Sequence, residues 1–559
     1  MAKIGSFNDI GYVSNKTCYK GCGLTDDDLA RPIIGIACSF NESVPGHVHL
    51  RQLCEKVKAG IYRAGGTPVE FGVIACCDGV SDNAWGARYC LPSRDVIADS
   101  VEVQCRAHRF DGLVMLASCD KIVPGMLMAA ARLDLPAILV PGGPAVSSPP
   151  FRDQAKSNST TVSEAYGLYV QGELTEEELQ GLTTTCMMSC GSCQFMGTAN
   201  TMCCFAEALG MTLSGGACIP AVYLERQRSA FRSGEKIVEL VRRDITARQI
   251  MTWEAIENAI TVLMAVGGST NAVIHTCALA HELGYPAGQV MDAFDRLSAV
   301  PLLVKVSPAS KEKDAVDLYL AGGIPEVMKQ LGAKLHPGVM TADGRTLQQN
   351  LDAFRPLYPV DHELIRPLSR PYSTLGGLAV MRGNLAPDTG VAKPAAIAES
   401  ARRFTGRAMC FDGEDAALDA IRAGTITPGT VVVIRYEGPK GGPGMREMYL
   451  TLKMLVGQGL AETTAVITDG RFSGTNNGCF VGHISPEAAV GGPIALVRDG
   501  DEITIDVIEK TITLHVSEQE LAQRRAEWQY QPPQGLTGYL KRYAKLVSSA
   551  DQGAVLDAD

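Results

Sequence analysis

The chain has 559 residues, of which 46% are hydrophobic and 20% are charged, and its formal net charge is −10. This length predicts more than one domain, and the acidic balance without any basic block argues against a nucleic-acid-binding protein. No apolar run reaches the ~18–20 residues of a membrane-spanning helix, and the N-terminal stretch lacks the charged-then-apolar order of a secretory signal. We therefore expect a cytoplasmic protein with no membrane partner, whose 18 cysteines are reduced.

Strand-like and helix-like segments alternate through the first part of the chain. The segments that predict strands, some running on into loops, are IIGIAC (33–38), VEFGVIACCDG (69–79), DGLVMLASCD (111–120) and PAILVPGGP (136–144). The segments that predict helices are 49–66, 93–110 with Ser93 as its N-cap, and 124–134. This alternation predicts a parallel α/β sheet, in which ligands gather at the loops that follow the strands. Two such loops carry Cys76-Cys77-Asp78 and Cys119-Asp120-Lys121.

The last part of the chain has a different pattern. Short β-rich runs with few long helices between them are TVVVIRY (430–436), TAVITDG (464–470), PIALVRDG (493–500) and EITIDVIEKTITLHV (502–516). The last of these predicts a hairpin. We therefore expect an α/β domain over residues 1–375 and a β-rich, barrel-like domain over residues 376–559.

Cysteine residues offer soft metal ligands in two places. One is Cys119, and the other is the stretch TTCMMSCGSCQFMGTANTMCC, with Cys186, Cys190 and Cys193. The Cys190–Cys193 pair is a C-x-x-C motif, which suits an iron–sulfur cluster, a redox pair or half of a zinc site. The remaining alternative for many of the cysteines, including Cys54, is a small buried core residue.

Three carboxylates lie in glycine-rich settings that suit a hard cation. They are Asp78 in CCDGVSD, Asp120 in SCDKIVPG and Glu437 in YEGPKGGPGM. Oxygen ligands of this kind favour Mg²⁺, although each residue alone is also typical of a turn. Ser473 lies in TDGRFSGTNNG, which matches neither a nucleophile elbow nor a phosphate-binding loop.

Longer matches along the chain carry a family resemblance. The sequence resembles the dihydroxy-acid dehydratase and sugar-acid dehydratase family through PGHVHLRQL, AGGTPVEF, LPSRDVIADS, SCDKIVPGMLMAAARL, GTANTM, GGSTNAVIHTCALAHELG, GGLAVMRGNLAPD, YEGPKGGPGM, TDGRFSG and GHISPEAAVGGPIALV. The resemblance implies an α/β domain followed by a β-rich, barrel-like domain, assembled as a homodimer or a dimer of dimers. It implies a hydro-lyase that converts a small 2,3-dihydroxy acid into a 2-keto acid.

The resemblance also implies the cofactors and their ligands. The family's iron–sulfur cysteines correspond to Cys119 and Cys193. Its Mg²⁺ ligands correspond to Asp78, Asp120 and Glu437, together with Lys121 as a carbamylated lysine. The family's catalytic residues correspond to Lys121 and Ser473, and Ser473 is the base that removes the C2 proton.

One departure from the family concerns the cluster. In NESVPGHVH, Gly46 stands where many members carry a cysteine, so we favour a [4Fe–4S] cluster over a [2Fe–2S] cluster. The third thiolate is then unassigned, with Cys190 as the first candidate, Cys186 and Cys77 as the next, and His47 as a weaker one.

The substrate is the second open point. RFSG and VGHISPEAA favour a branched-chain substrate, from valine and isoleucine biosynthesis. Gly197, where such enzymes usually carry an aromatic residue, and the polar segment with Asp82, Asn83 and Trp85 favour an aldonate such as xylonate, arabinonate or gluconate. We expect the branched-chain substrate. A non-catalytic iron–sulfur redox sensor is the alternative of another class, and the retained carboxylates and Ser473 argue against it.

Overall fold

The computed structural model describes residues 10–81, 85–152, 156–170, 172–473 and 478–557. The strands are β1 Ile33–Cys38, β2 Thr67–Gly72, β3 Gly112–Ala117, β4 Ala137–Pro141, β5 Ala379–Gly383, β6 Ala386–Ala392, β7 Arg403–Asp412, β8 Thr430–Arg435, β9 Glu447–Met448, β10 Ala465–Thr468, β11 Arg471–Phe472, β12 Cys479–Ser485, β13 Glu502–Asp506 and β14 Thr511–Leu514.

The helices of the described residues are α1 Ile10–Gly21, α2 Asp26–Leu29, α3 Leu50–Arg63, α4 Asp78–Ser81, α5 Cys90–His108, α6 Ile122–Leu133, α7 Thr161–Val170, α8 Glu176–Thr185, α9 Thr198–Ala208, α10 Leu224–Arg243, α11 Ala247–Ile250, α12 Trp253–Val266, α13 Asn271–Leu283, α14 Ala287–Leu297, α15 Ala315–Leu320, α16 Gly323–Leu331, α17 Leu347–Ala353, α18 Glu414–Arg422, α19 Leu450–Gly457, α20 Glu518–Glu527 and α21 Gly538–Leu546. None of them is both long enough and apolar enough to span a membrane.

A four-stranded parallel sheet, in the order β2-β1-β3-β4, forms the centre of the N-terminal part. Every residue of β1 and β3 is buried, as expected for parallel strands that are covered on both faces. The edge strand β2 is only partly buried. The predicted parallel α/β sheet is therefore confirmed, and the loops after β2 and β3 carry Asp78, Cys119, Asp120 and Lys121.

The C-terminal part is a closed eight-stranded barrel in the order β10-β12-β6-β5-β14-β13-β7-β8. Along β8, Val431 and Val433 belong to the core inside the barrel, whereas Val432 and Ile434 pack with residues of α18 and α19. This two-residue alternation explains why the strand is apolar throughout. The predicted barrel-like domain is confirmed, as is the hairpin, formed by β13 and β14 in antiparallel register.

The passage from one part to the other lies between the end of α17 and the start of β5, and the domain boundary between residues 375 and 376 stays a prediction. The prediction of Ser93 as a helix cap was wrong. Helix α5 begins three residues earlier, at Cys90, and the Ser93 hydroxyl donates to the Cys90 carbonyl within it. Pro92 is tolerated there because it lies in the first turn, where no helical hydrogen bond requires its missing N–H group.

Candidate active site

Lys121, between β3 and α6, lies at the centre of a group of partly buried carboxylates. Its side chain has no solvent exposure, and its Nζ donates to Asp78 Oδ1 at 2.7 Å. The same Nζ lies 3.4 Å from Glu447 Oε2 and 3.7 Å from Asp120 Oδ2. We call Asp78, Asp120 and Glu447 the carboxylate group. It brings together loops that follow β2 and β3 with a residue of the C-terminal part.

The carboxylate group carries more negative charge than Lys121 can neutralise. Burial raises the pKa of Asp120 to about 7, and the charges of Asp78 and Glu447 add to this effect. Burial and the charge of Arg471 disfavour the charged form of Lys121, but the three carboxylates outweigh both and raise its pKa. Asp78 Oδ2 is buried and has no hydrogen-bond partner within the described chain. An unsatisfied oxygen among clustered carboxylates fits a hard divalent cation such as Mg²⁺.

Glu447 is the member of the carboxylate group that the sequence did not predict. It lies on β9, which pairs in parallel with β11 so that Glu447 is opposite Arg471. Its Oε2 accepts from Arg471 Nη1 at 3.1 Å and from Asn271 Nδ2 at 2.7 Å. Asn271 is the first residue of α13, in the GGSTNAVIH stretch. A two-residue strand in GPGMREMYL gives no period from which this pairing could have been predicted.

Glu437, the carboxylate expected from the sequence, has different partners. It is 1% exposed, and its Oε1 accepts from Arg446 Nη2 at 2.8 Å and from the Glu414 N–H group at 3.0 Å. Its Oε2 lies 3.5 Å from Arg88 Nη2. Within the described residues its ion pairs are with arginines, and the third carboxylate beside Lys121 is Glu447. This geometry favours Glu447 over Glu437 as a metal ligand.

Ser473 follows directly after the strand pair that holds Glu447. Its backbone N–H group donates to the Met448 carbonyl at 3.1 Å, which extends the pairing of β9 and β11 by one residue. The side chain is 9% exposed. Ser473 is thus fixed one residue beyond the paired strands β9 and β11. These strands carry Glu447 and Arg471, whose charged groups contact each other. Residues 474–477 lie outside the described residues.

The second group consists of three thiols whose pKa values are all raised by the charge of Asp120. Burial raises the pKa of the Cys119 thiol well above its usual value, and the charges of Cys77, Asp120 and Cys193 raise it further. Burial, Asp120 and Cys77 act in the same way on Cys193. We call Cys77, Cys119 and Cys193 the thiol group. Sulfur atoms whose ionisation is disfavoured by burial and by one another fit an iron–sulfur cluster, because iron would offset the charge of the thiolates.

The other sequence candidates for a cluster ligand lie differently. Cys186 packs with Ala165, Leu174 and Leu182 in a separate small core. Burial raises the pKa of Cys190, and the other influence on it is its own backbone. His47 uses both ring nitrogens, because Nδ1 lies 2.7 Å from the Ser39 carbonyl and Nε2 accepts from the Cys119 N–H group. A histidine held in this way is structural.

Two of the residues that favoured an aldonate substrate, Gly197 and Trp85, lie in surroundings that do not support that interpretation. A Cβ atom at Gly197 would lie 2.6 Å from the ring of Phe195, so the aromatic ring of residue 195 fills the space beside position 197. Trp85 is 59% exposed. Asp82 and Asn83 lie outside the described residues. The glycine therefore does not leave the region without an aromatic side chain.

Comparisons with known proteins cover almost the whole chain. Two family profiles match, the dihydroxy-acid/6-phosphogluconate dehydratase N-terminal profile over residues 31–350 and the corresponding C-terminal profile over residues 363–554. The dihydroxy-acid dehydratase of Acetivibrio thermocellus is 49% identical over 547 residues, covering 97% of each chain. That of Pyrococcus furiosus is 50% identical over 546 residues, again 97% of each chain. That of Methanosarcina barkeri is 47% identical over 545 residues, or 97% of this chain and 98% of the relative.

Proposed function

The chain belongs to the dihydroxy-acid/6-phosphogluconate dehydratase family, a family of hydro-lyases, and from this premise we propose that it is a dihydroxy-acid dehydratase of branched-chain amino acid biosynthesis. Its substrate would be a 2,3-dihydroxy-3-methyl acid, and its product the corresponding 2-keto acid. The observation that supports this most strongly is the carboxylate group around Lys121. Removal of a proton next to a substrate carboxylate requires concentrated positive charge, which a divalent cation held by these carboxylates would supply.

The carboxylate group would hold Mg²⁺ through Asp78, Asp120 and Glu447. A carbamate on Lys121 would add another oxygen ligand, which an ammonium group is unable to provide. The chemistry that bound Mg²⁺ supplies is polarisation of the substrate carboxylate and 2-hydroxyl. Arg471 Nη2 is buried and has no hydrogen-bond partner within the described chain, so it would contribute a further donor and a fixed positive charge beside the substrate.

The thiol group would hold an iron–sulfur cluster through Cys119 and Cys193, and we favour a [4Fe–4S] form. The chemistry that the bound cluster supplies is Lewis-acid assistance to departure of the 3-hydroxyl as water. The chain's own role in this region is to bury the thiols and to orient Cys119, whose backbone N–H group donates to His47 Nε2 at 3.2 Å.

Ser473 would accept the C2 proton at its Oγ atom. A free serine hydroxyl is far too weak a base near neutral pH, so its ionised form requires positive charge close by. Arg471, two residues earlier on β11, lies in the same strand pair and is fully buried. Ser473 is nearly completely buried, so little water is present to screen charges around it. Electrostatic interactions with its side chain are therefore stronger than they would be at the surface.

We propose that the enzyme acts in the cytoplasm as a homodimer or a dimer of dimers, in line with the family resemblance. Sedimentation or light scattering of the purified protein at several concentrations tests the assembly, and a mass of a single chain at all concentrations would contradict it.

The substrate is tested by assay of the protein after anaerobic purification. A 2,3-dihydroxy-3-methyl acid and several aldonates are supplied separately, and release of keto acid is measured, with Ser473→Ala as the inactive control. We expect turnover of the branched-chain substrate. Turnover confined to aldonates would overturn this assignment and would establish the sugar-acid alternative, which Gly197 favoured in the sequence.

A further inference from the structure

Gly46 lies directly beside the sulfur of Cys119, and it has no side chain that could serve as a cluster ligand. A Cβ atom at Gly46 would lie 2.6 Å from the Cys119 sulfur and 3.4 Å from the backbone nitrogen of Ser192, the residue before Cys193. Position 46 therefore adjoins both loops that carry the proposed cluster cysteines. Since glycine offers no ligand, a third thiolate has to come from another loop that reaches the same space.

We propose that Cys77 is this third thiolate, so that Cys77, Cys119 and Cys193 hold the iron–sulfur cluster. This inference rests on the proposed function, because it assumes that the protein carries a cluster. On binding, each thiol would release its proton to solvent and form one sulfur–iron bond, without any change in the oxidation state of sulfur. Three thiolates leave one iron of a [4Fe–4S] cluster without a protein ligand, as the departure of a substrate hydroxyl requires.

The position of the Cys77 loop supports the assignment. Cys77 directly precedes Asp78, and Asp78 contacts Lys121, which is two residues after Cys119. The loop after β2 and the loop after β3 are therefore in contact at this point. Among the neighbouring charged groups that raise the pKa of Cys119, Cys77 has a larger effect than Asp120 or Cys193. Cys77 raises the pKa of Cys193 in the same way.

The surroundings of Cys77 suit a thiolate ligand. Burial raises the pKa of Cys77 to about 11, and the backbone N–H groups of Val80 and Gly79 oppose this rise by donating to its sulfur. Hydrogen bonds from backbone N–H groups to cysteine sulfur are among the factors that tune iron–sulfur clusters. Cys77 and Cys193 are also partly exposed, so these two thiols are not enclosed in the surrounding core.

The competing thiols differ from Cys77 in their surroundings. Cys190, like Cys77, is partly exposed, but the influences on its pKa are burial and its own backbone and include neither Cys119 nor Cys193. Cys203 is 1% exposed within α9, and its Sγ donates to the Ser118 carbonyl at 3.7 Å. Cys190 therefore serves as a matched control, because it resembles Cys77 in exposure and adjoins Cys193 in sequence.

The test compares Cys77→Ser and Cys190→Ser with the wild-type protein. All three are loaded with iron and sulfide without oxygen, iron and sulfide are counted per chain, and the reduced proteins are examined by electron paramagnetic resonance. Circular dichroism checks the fold. We expect Cys190→Ser to match the wild type, and Cys77→Ser to lose most of its iron and the cluster signal. Cluster content and spectrum equal to wild type in Cys77→Ser would overturn the inference, as would their loss in Cys190→Ser alone.

A second measurement uses the wild-type protein and does not depend on whether a variant folds. The loaded and the cluster-free proteins are alkylated, and modified cysteines are identified by mass spectrometry. Protection of Cys77, Cys119 and Cys193 in the loaded protein, with Cys190 modified in both, is the expected result. Modification of Cys77 at equal rates in both would contradict it. A wild-type protein that binds no cluster at all would instead refute the proposed cofactor, so the two failures are distinguishable.

Discussion

The carboxylate group and the thiol group share the two loops that follow β2 and β3, but they are assembled in different ways. The thiol group takes all its members from the N-terminal part of the chain, from the loops after β2 and β3 and from the loop before α9. The carboxylate group takes Asp78 and Asp120 from that part and Glu447 from β9. Its geometry therefore depends on how the C-terminal part docks, whereas that of the thiol group does not. Substitutions in β9 and its surroundings should separate the two groups.

The largest effect is expected for Glu447→Gln. This change keeps the size of the side chain and removes one negative charge beside Lys121. We expect weaker Mg²⁺ binding and a loss of about 10³-fold in kcat/KM, or about 4 kcal/mol, as for other residues that stabilise charge in a transition state. Calorimetric titration of the metal-free protein and steady-state kinetics measure the two quantities. The cluster content of this variant should be unchanged, and its loss would contradict the independence of the thiol group.

The next effect is expected for Glu437→Gln, which tests the same comparison from the other side. This variant disrupts a buried ion pair with Arg446 and should cost about 3 kcal/mol of folding free energy. We expect chemical denaturation to show this loss while Mg²⁺ affinity stays close to that of the wild type. If the affinity fell as far as in Glu447→Gln, Glu437 would be the ligand after all.

A smaller effect is expected from pH. Burial and neighbouring carboxylates raise the pKa of Asp120 to about 7, so below this pH the residue binds a proton that Mg²⁺ has to displace. Mg²⁺ affinity should therefore be about tenfold lower at pH 6 than at pH 8. Titrations of the metal-free protein between pH 6 and pH 8 measure this change. Equal affinity across the range, or a dependence that persists in Asp120→Asn, would show that Asp120 is not the titrating ligand.

The same shift predicts the stability of the metal-free protein. A carboxyl group whose pKa is raised on folding favours the folded state while it is protonated, so its contribution declines as the pH rises from about 4 towards 7. We expect Asp120→Asn to reduce this decline. Denaturation curves at several pH values without metal provide the check, with the parent protein as reference.

The smallest effect is expected for Cys119→Ser on Mg²⁺ binding. A serine hydroxyl is as neutral as a protonated thiol, so it adds no charge beside the carboxylates, and the affinity should change by less than about threefold. The cluster should be lost. A large loss of Mg²⁺ affinity in the cluster-free variant would mean that the two groups are one cooperative site.

The two groups also differ in how many of their residues the sequence predicted. Cys77, Cys119 and the two aspartates follow strands of the parallel sheet, and an alternation of strands and helices is sufficient to predict that such loops meet. Cys193 lies before α9 instead, and the family resemblance pointed to it. Glu447 was missed because β9 has two residues and pairs with another two-residue strand, which leaves no period in the sequence. Glu437, in a glycine-rich stretch, was the more conspicuous carboxylate, and the two arginines that pair with it, Arg88 and Arg446, come from separate segments of the chain.

Position 197 shows a related limit. The glycine is visible in the sequence, but the ring of Phe195 that fills its surroundings depends on the fold of the chain before α9. The boundaries of α5 were misplaced for a local reason, because Ser93 bonds within its own helix instead of capping it. In both cases the sequence shows the residue, Gly197 or Ser93, but not the group that it contacts in the folded chain.

The central claim is that a hard divalent ion and an iron–sulfur cluster lie side by side, held by neighbouring residues of one loop. Electron paramagnetic resonance of protein loaded with a cluster and with Mn²⁺ in place of Mg²⁺ tests it most directly. The account predicts that reduction of the cluster broadens the Mn²⁺ signal, and that this broadening is absent from Cys119→Ser. An Mn²⁺ signal that is identical with the cluster oxidised, reduced or missing would contradict the account.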